Sequence, residues 1–192
     1  MGLFFLYSGE CILSDMRKVL GKDFFDRDTK VVAKELLGKY LVRQVGDKKE
    51  ARMIIETEAY DGPHDLGSHS AKGRTARTEI LFGPAGFWYV YLIYGLHEML
   101  NVVTKREGAA VLIRGIEGYP TPGTLTRAMA IDRTLNAKPA AKKTGLWIED
   151  RGIVIAKKDI ETTPRIGIAY AGEWAKKPWR FLIKKDGLAK LK

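Results

Sequence analysis

The stretch ETEAY at residues 56–60 carries the pattern that decides the fold of this chain. Because side chains alternate between the two faces of a β-strand, a strand here directs Glu56, Glu58 and Tyr60 to one face. A second stretch, YVYLIYG at residues 89–95, adds three tyrosines to a strand that ends at a turn. Together the two stretches predict carboxylates and aromatic rings on rigid β surfaces.

The rest of the chain predicts helices and strands that do not alternate regularly. A helix is expected over residues 29–37, where Val32 and Leu36 share a face, Asp28 caps the start and Gly38 suits the stop. A second helix is expected over residues 124–131, after Pro122-Gly123. Strands are expected over residues 40–45, 51–60, 87–93, 99–104, 109–116 and 152–156. Irregular alternation favours the α+β class over a doubly wound sheet.

The composition is that of one globular domain with an excess of positive charge. The 192 residues include 33 Lys and Arg against 23 Asp and Glu, a net charge of +10. Such an excess favours a polyanionic partner such as nucleic acid, although solubility alone is an alternative reading. The single cysteine, Cys11, excludes intrachain disulfides and zinc or iron–sulfur sites built from several cysteines.

The first 23 residues form an N-terminal extension with no assigned role, and residues 24–192 form the expected domain. The extension contains an apolar run at residues 3–7 that is too short to cross a bilayer. With no export or transmembrane signal, we expect a cytoplasmic protein without membrane contact.

A carboxylate beside aromatic rings on a basic protein suggests chemistry on a nucleobase lifted out of DNA. Each residue also has a simpler reading: strand glutamates are usually exposed, and strand tyrosines usually pack within the sheet. Arg114 in an apolar strand is harder to explain in this way, because a buried arginine needs a partner. A metal site of His64, Asp65 and His69 is conceivable but matches no zinc spacing pattern, so no metal is expected.

Several motifs in one order identify a family. They are ETEAY (56–60), HS (69–70), YVYLIYG (89–95), LN (100–101), VLIRGIE (111–117) and RIGIAYAGEWAKKPWRF (165–181). From about Phe24 to Ile183 the chain resembles the alkyladenine (3-methyladenine) DNA glycosylases of the mammalian type. The resemblance implies a single α+β domain with a curved, mostly antiparallel sheet, flanking helices and a protruding β-hairpin.

The resemblance also implies an activity: flipping of damaged purines, such as 3-methyladenine, hypoxanthine and ethenoadenine, and hydrolysis of the N-glycosidic bond. Glu58 matches the catalytic base that activates water, and Arg114 and the backbone carbonyl of Ile166 match groups that hold that water. A nearby Arg114 is expected to keep the pKa of Glu58 low. Glu56 is interpreted as a supporting or surface group.

The remaining matches concern binding of the DNA. Tyr60, His69 and Tyr91 match residues that sandwich the extruded base. Asn101 matches a pocket residue that excludes guanine. Tyr94 matches the side chain wedged into the minor groove of the DNA, where the base used to stack. The candidates for phosphate contact, taken from basic loops, are Arg74, Arg77, Lys105 and Arg106. The expected partner is double-stranded DNA that contains damaged purines, bound by a monomer without metal or organic cofactor.

Two other functions are open from the sequence. A DNA-binding protein that keeps the pocket and lacks the chemistry would carry the same aromatic residues. A carbohydrate-active hydrolase could use Glu56 and Glu58 as its pair, since residues two apart on a strand lie roughly 6.5–7 Å apart.

Overall fold

The ETEAY stretch lies in the longest strand of the protein. A computed structural model describes residues 17–190, and in it strand β3 runs over Lys48–Asp61. One edge of β3 pairs first with β2 (Tyr40–Val45) and then with β9 (Arg180–Ile183), while the other edge pairs with β6 (Ala109–Ile116). The register with β6 shifts on both sides of Glu56. Such irregularities bend a strand and re-aim its side chains.

The other elements extend this sheet on both sides. In the described residues, the sheet order is β1-β7-β2-β3-β6-β5-β4, with β8 paired to β9, and every pairing is antiparallel. The remaining strands are β1 (Lys18–Val19), β4 (Trp88–Ile93), β5 (His97–Val103), β7 (Leu146–Asp150) and β8 (Ile160–Thr163). The helices are α1 (Lys22–Phe25), α2 (Thr29–Glu35), α3 (Pro122–Ala128) and α4 (Lys185–Ala189). This architecture confirms the α+β class and the single, antiparallel sheet.

Helix α2 follows the sequence prediction closely. The Asp28 carboxylate accepts hydrogen bonds from the N–H groups of Lys30 and Val31, which closes the start of the helix. Gly38, just beyond the helix, has φ of +82°, a conformation that glycine adopts without strain. The helix covers the face of β3 opposite Glu58, where the Thr57 hydroxyl donates to the carbonyl of Ala33.

The prediction of a strand over residues 152–156 is wrong. Residues 151–156 are irregular, and the strand in this region is β7, just before them. The apolar alternation does reflect burial, because Ile153 and Ile155 are half-buried against Gly38 whereas Val154 is 83% exposed. However, β2 is already paired on both edges, with β3 and with β7, so it offers this segment no free edge.

The N-terminal residues contribute to the sheet from Lys18 onward. β1 pairs with β7, and Leu20 is buried in the main core. These residues fall before the boundary expected at residue 24. Residues 1–16, which include the apolar run at residues 3–7, lie outside the described residues.

Strands β4 and β5 form the expected hairpin. Its register pairs Ile93 with His97, so residues 94–96 form the tip. Tyr94 has φ of +50°, which is uncommon for a side chain of its size, and it is 89% exposed. The hairpin therefore ends in a solvent-exposed tyrosine, while its base packs into the sheet through Leu100 and Val102.

Candidate active site

A cavity of about 670 Å³ opens between the β4–β5 hairpin, the C-terminal half of β3 and two loops. The first loop carries His69, and the second carries Ile166. The residues from the sequence prediction that line this cavity are Tyr60, His69, Arg77, Tyr91, Tyr94, Asn101, Arg114 and Ile166. The volume is in the range typical of pockets for small organic ligands, and a single purine fits within it.

Glu58 is fully buried directly behind the cavity wall. Its Oε2 accepts a hydrogen bond from the Tyr60 hydroxyl at 2.8 Å, and its Oε1 accepts one from the Ile166 N–H at 2.9 Å. Arg114 Nε lies 3.5 Å from Oε1 of Glu58. The contact from Ile166 is made by its amide, which the sequence analysis did not anticipate; the expected role of its carbonyl stays a prediction.

The expectation that Arg114 keeps the pKa of Glu58 low is wrong. Burial raises the pKa of Glu58, and it outweighs the opposing effects of Arg114, the Ile166 N–H and the Tyr60 hydroxyl. Part of the reason is that Arg114 is shared, because its Nε lies closer to Glu56 (2.8 Å) than to Glu58 (3.5 Å). A carboxylate whose pKa is moved toward neutrality is a better general base than an ordinary surface glutamate.

Glu56 is buried and bound between two arginines. Arg180 Nε donates a hydrogen bond to Oε1 of Glu56, and Arg114 Nε is close to the same oxygen without hydrogen-bond alignment. Glu56 is absent from the cavity lining. It is therefore a structural counter-ion of Arg114 and Arg180, an arrangement that disfavours a second catalytic carboxylate of the kind a carbohydrate hydrolase needs.

Three of the predicted aromatic residues line the cavity, and two of them contact each other. His69 and Tyr91 contact each other edge to face, with ring centroids 4.5 Å apart. A flat base needs about 3.5 Å on each of its faces, so it cannot lie between these two rings. They form one continuous aromatic wall, and Tyr60 lines the same cavity next to Glu58.

His69 is neutral near pH 7. Burial, together with the positive charges of Arg77 and Lys72, lowers its pKa to about 4. Its Nδ1 is hydrogen-bonded to the Tyr89 hydroxyl at 2.8 Å. Tyr89 was noted in the sequence as a strand aromatic, and the structure shows that its hydroxyl holds the imidazole against Tyr91.

Asn101 is buried beneath the cavity. Its side-chain amide donates to the carbonyls of Tyr89 (3.1 Å) and Met99 (3.3 Å), which fixes its orientation. A side chain held in this way is a rigid part of the pocket floor.

The four candidate phosphate-binding residues lie in different surroundings. Arg77 is at the cavity rim, with its guanidinium 4.9 Å from the centre of the Tyr91 ring. Arg74 is held between Glu79 and Glu107, at 2.8 and 2.9 Å. Lys105 and Arg106 are exposed in the β5–β6 loop, and Arg106 lies 3.5 Å from Asp61. Of the four, only Arg77 lines the cavity in the part of the chain that the structure describes.

Asp65 belongs to a buried ion pair. Both of its oxygens accept from Arg165, and neither side chain is exposed. Within residues 17–190, no group of three or more His, Cys, Asp and Glu side chains is arranged to hold a metal ion. Asp65 and Arg165 are a hundred residues apart in polar segments, and no spacing signal links them.

The chain matches the family model described as methylpurine-DNA glycosylase over residues 23–121 and 119–187. Together these ranges cover most of the sequence and every cavity residue named above. The chain belongs to the methylpurine-DNA glycosylase family. The resemblance inferred from the motifs is therefore confirmed.

Curated relatives agree with the methylpurine-DNA glycosylase assignment. A protein of Legionella pneumophila (strain Paris), named "Putative 3-methyladenine DNA glycosylase", is 48% identical over 178 residues, which cover 88% of this chain and 96% of the relative. Proteins of the same name from Methanocella arvoryzae and Myxococcus xanthus are 45% and 43% identical. Both alignments cover 86% of this chain, with 92% and 90% of the relatives.

The described part of this glycosylase family member contains no helix that is both long and apolar enough to span a membrane.

Proposed function

We propose that this protein flips a damaged purine out of duplex DNA and hydrolyses its N-glycosidic bond, leaving an abasic site. The observation that carries the proposal is a buried carboxylate, Glu58, directly behind a purine-sized cavity with aromatic walls. Family membership supports a DNA glycosylase activity, and the geometry of the cavity supports a flipped base as its occupant.

Glu58 acts as the general base in this scheme. The bond between C1′ and the purine nitrogen breaks through a sugar with oxocarbenium character, and the electron pair leaves with the purine. Water attacks C1′ and gives its proton to Glu58, whose negative charge also stabilises the developing cation. Arg114 and the Ile166 carbonyl orient the water.

Water must reach a carboxylate that is covered in the free protein. Tyr60, Arg114 and Ile166 all line the cavity and together cover Glu58. A small displacement of one of them when DNA binds is sufficient, because each contacts the carboxylate directly.

The flipped purine stacks between Tyr60 on one side and the His69–Tyr91 wall on the other. Neutral His69 suits this role, because an imidazolium would repel a cationic alkylated purine. The fixed side chain of Asn101 crowds the exocyclic amino group of guanine and so protects the normal base. The pocket takes 3-methyladenine, hypoxanthine and ethenoadenine as its candidate substrates.

The exposed hairpin tip inserts into the duplex. Tyr94 fills the space that the flipped base leaves and offsets part of the unstacking energy, which is a few kcal/mol. Arg77 contacts phosphate at the cavity rim, with Arg74, Lys105 and Arg106 as further candidates. A monomer acting on the DNA of the cytoplasm, without a metal or organic cofactor, completes the proposal.

The proposal is tested with duplexes that carry hypoxanthine, 1,N6-ethenoadenine or alkylated adenine. Incubation followed by hot alkali should break the strand at the lesion, and the rates rank the three substrates. Borohydride should trap no covalent protein–DNA adduct, because water and not a lysine attacks C1′. Tight binding without strand breaks on any lesion would instead indicate a protein that recognises damage and lacks the chemistry.

A further inference from the structure

The Asp65–Arg165 pair lies immediately beneath the candidate catalytic carboxylate. Both side chains are fully buried, and the two guanidinium nitrogens Nη1 and Nη2 contact the two carboxylate oxygens at 2.5 and 2.8 Å. A buried ion pair of this kind is costly to desolvate and is rarely the most stable choice for a core. Stability alone is therefore a weak explanation for this pair.

Arg165 lies next to both residues that donate hydrogen bonds to Glu58. Its Nη1 donates to the carbonyl of Ala59, the residue between Glu58 and Tyr60, at 2.9 Å. Its guanidinium also lies 4.7 Å from the centre of the Tyr60 ring. The next residue in the chain is Ile166, whose N–H donates to Glu58. One guanidinium thus supports the Tyr60 hydroxyl and the Ile166 amide, the two hydrogen-bond donors to Glu58.

Asp65 connects this guanidinium to the loop that leads to His69. Its Oδ1 accepts from the Gly67 N–H at 3.0 Å, and its Oδ2 accepts from the Asp61 N–H at 3.1 Å. Gly67 is packed so closely that a Cβ there would lie 3.0 Å from Arg165 Nη2 and 2.8 Å from an Ile168 side-chain carbon. The loop and the guanidinium are therefore closely packed and hydrogen-bonded to the same carboxylate.

We propose that the Asp65–Arg165 pair is a positioning device that holds the Ile166 amide and the Tyr60 hydroxyl against the two oxygens of Glu58. The proposal rests on the proposed function, in which Glu58 is the general base. Arg165 itself does not touch the reacting atoms, so it is a positioning residue.

The consequence is a dependence of activity on pH. The groups that face Glu58 are Glu56 and Tyr60 on its own strand, Arg114 on β6, Arg180 on β9 and Tyr91 on β4. Burial raises the pKa of Glu58, while the two hydrogen-bond donors oppose that rise. Loosening the Asp65–Arg165 pair weakens these two hydrogen bonds, so the pKa of Glu58 rises further. As the pH falls, Glu58 is then protonated, and lost as a base, at a higher pH.

The test uses Arg165→Lys, which keeps the charge opposite Asp65 but cannot span both carboxylate oxygens and the Ala59 carbonyl. Base release is measured under single turnover from pH 5 to 9. In the variant, the acid limb of the pH–rate profile should move up by about one pH unit. Base release should then be about tenfold slower than in the wild type at pH values below the limb and should reach the wild-type rate at high pH. Asp65→Asn should shift the limb in the same direction and is the second variant if Arg165→Lys does not fold.

A direct titration separates this proposal from the proposed function. Carbon NMR of ¹³C-labelled glutamate, with Glu58→Gln to assign the signal, reports the pKa of Glu58 without any need for activity. The proposal requires a higher titration midpoint in Arg165→Lys than in the wild type.

The matched control is Glu149→Gln. Glu149 lies on β7, which β2 separates from β3, and its buried carboxylate pairs with Arg151 just beyond the strand. The substitution should lower stability without moving the limb. An unmoved limb and midpoint in Arg165→Lys and Asp65→Asn would overturn the proposal, whereas an inactive wild type would overturn only the proposed function.

Discussion

Two regions of the molecule differ in almost every physical respect. The candidate floor (Glu56, Glu58, Tyr60, Arg114 and Ile166) is joined by ion pairs and hydrogen bonds around a fully buried carboxylate. The hairpin tip (residues 94–96) is open to solvent, with Tyr94 89% and Leu96 75% exposed. The floor is ordered before DNA arrives, as chemistry requires, whereas the tip has apolar surface that only a partner can cover. Mutations in the two regions should therefore have separable effects.

The largest expected effect is on stability, in the floor. Arg114→Met leaves two buried carboxylates, and within residues 17–190 their one remaining ion pair is that of Glu56 with Arg180. The free energy of unfolding should therefore fall by about 3–5 kcal/mol in urea titrations. The matched control is Lys176→Met, which removes an exposed pair with Glu173 and should cost about 0–1 kcal/mol. Equal losses in the two variants would remove the distinction between floor and surface.

His69, in the aromatic wall of the cavity, should titrate as a buried group. An NMR titration of the His69 imidazole, assigned with His69→Gln, should have its midpoint near pH 4, against the ordinary 6.5. Because the unfolded chain binds this proton at higher pH than the folded one, the stability that His69 contributes is complete above about pH 6.5 and declines as the pH falls toward 4. A midpoint near 6.5 would show that His69 is solvated and that the wall is not closed.

Replacement at the tip should weaken binding and leave folding unchanged. Tyr94→Ala removes a stacking interaction of about 1–3 kcal/mol, so affinity for a duplex with an abasic analogue should fall roughly 5- to 150-fold by fluorescence anisotropy. The free energy of unfolding should change by less than about 0.5 kcal/mol. Val154→Ala, at an 83% exposed position outside the cavity, is the control for loss of exposed apolar surface. Unchanged affinity in Tyr94→Ala would exclude the wedge.

The smallest expected effect is a change in substrate preference at the rim. Arg77 places a positive charge beside the aromatic wall, so it disfavours a cationic alkylated purine relative to neutral hypoxanthine. Arg77→Gln should therefore raise the rate of release of alkylated adenine relative to that of hypoxanthine. The expected change is about two- to threefold, on the order of 0.5 kcal/mol. Lys105→Gln, which does not line the cavity, should leave the ratio constant. A constant ratio in both variants would assign Arg77 to phosphate contact alone.

Much of the fold could be predicted from the sequence because its strands carry clear alternation. Residues 40–45 and 109–116 form strands with the predicted bounds, and the hairpin forms where the tyrosines indicate it. Residues 152–156 show the limit of this reasoning, since alternation reports which side chains are buried and not which strand edge is open. β7 was missed because its first four residues are all buried, so it lacks the alternation that marked the other strands.

The sequence could predict which residues form the candidate site, but it could not predict the pKa of Glu58 or the ion pair beneath it. Glu58 and Tyr60 are hydrogen-bonded on one face of β3, as the strand alternation indicated, and Arg114 lies beside Glu58, as the family resemblance implied. The prediction of a low pKa for Glu58 was wrong, because the pKa depends on how deeply the carboxylate is buried and on how Arg114 is shared between two carboxylates. The Asp65–Arg165 pair depends on a contact across a hundred residues, which local patterns do not contain.

The most direct test of the account is single-turnover base release by Glu58→Gln, with binding to an abasic duplex measured in parallel. Glutamine fits the same site, and burial already favours the neutral form of Glu58, so the variant should fold. Glu50→Gln, at the solvent-facing end of the same strand, is the control. The account predicts that Glu58→Gln binds normally and releases base about 10²- to 10⁴-fold more slowly, while Glu50→Gln matches the wild type. Release at the wild-type rate by Glu58→Gln would contradict it.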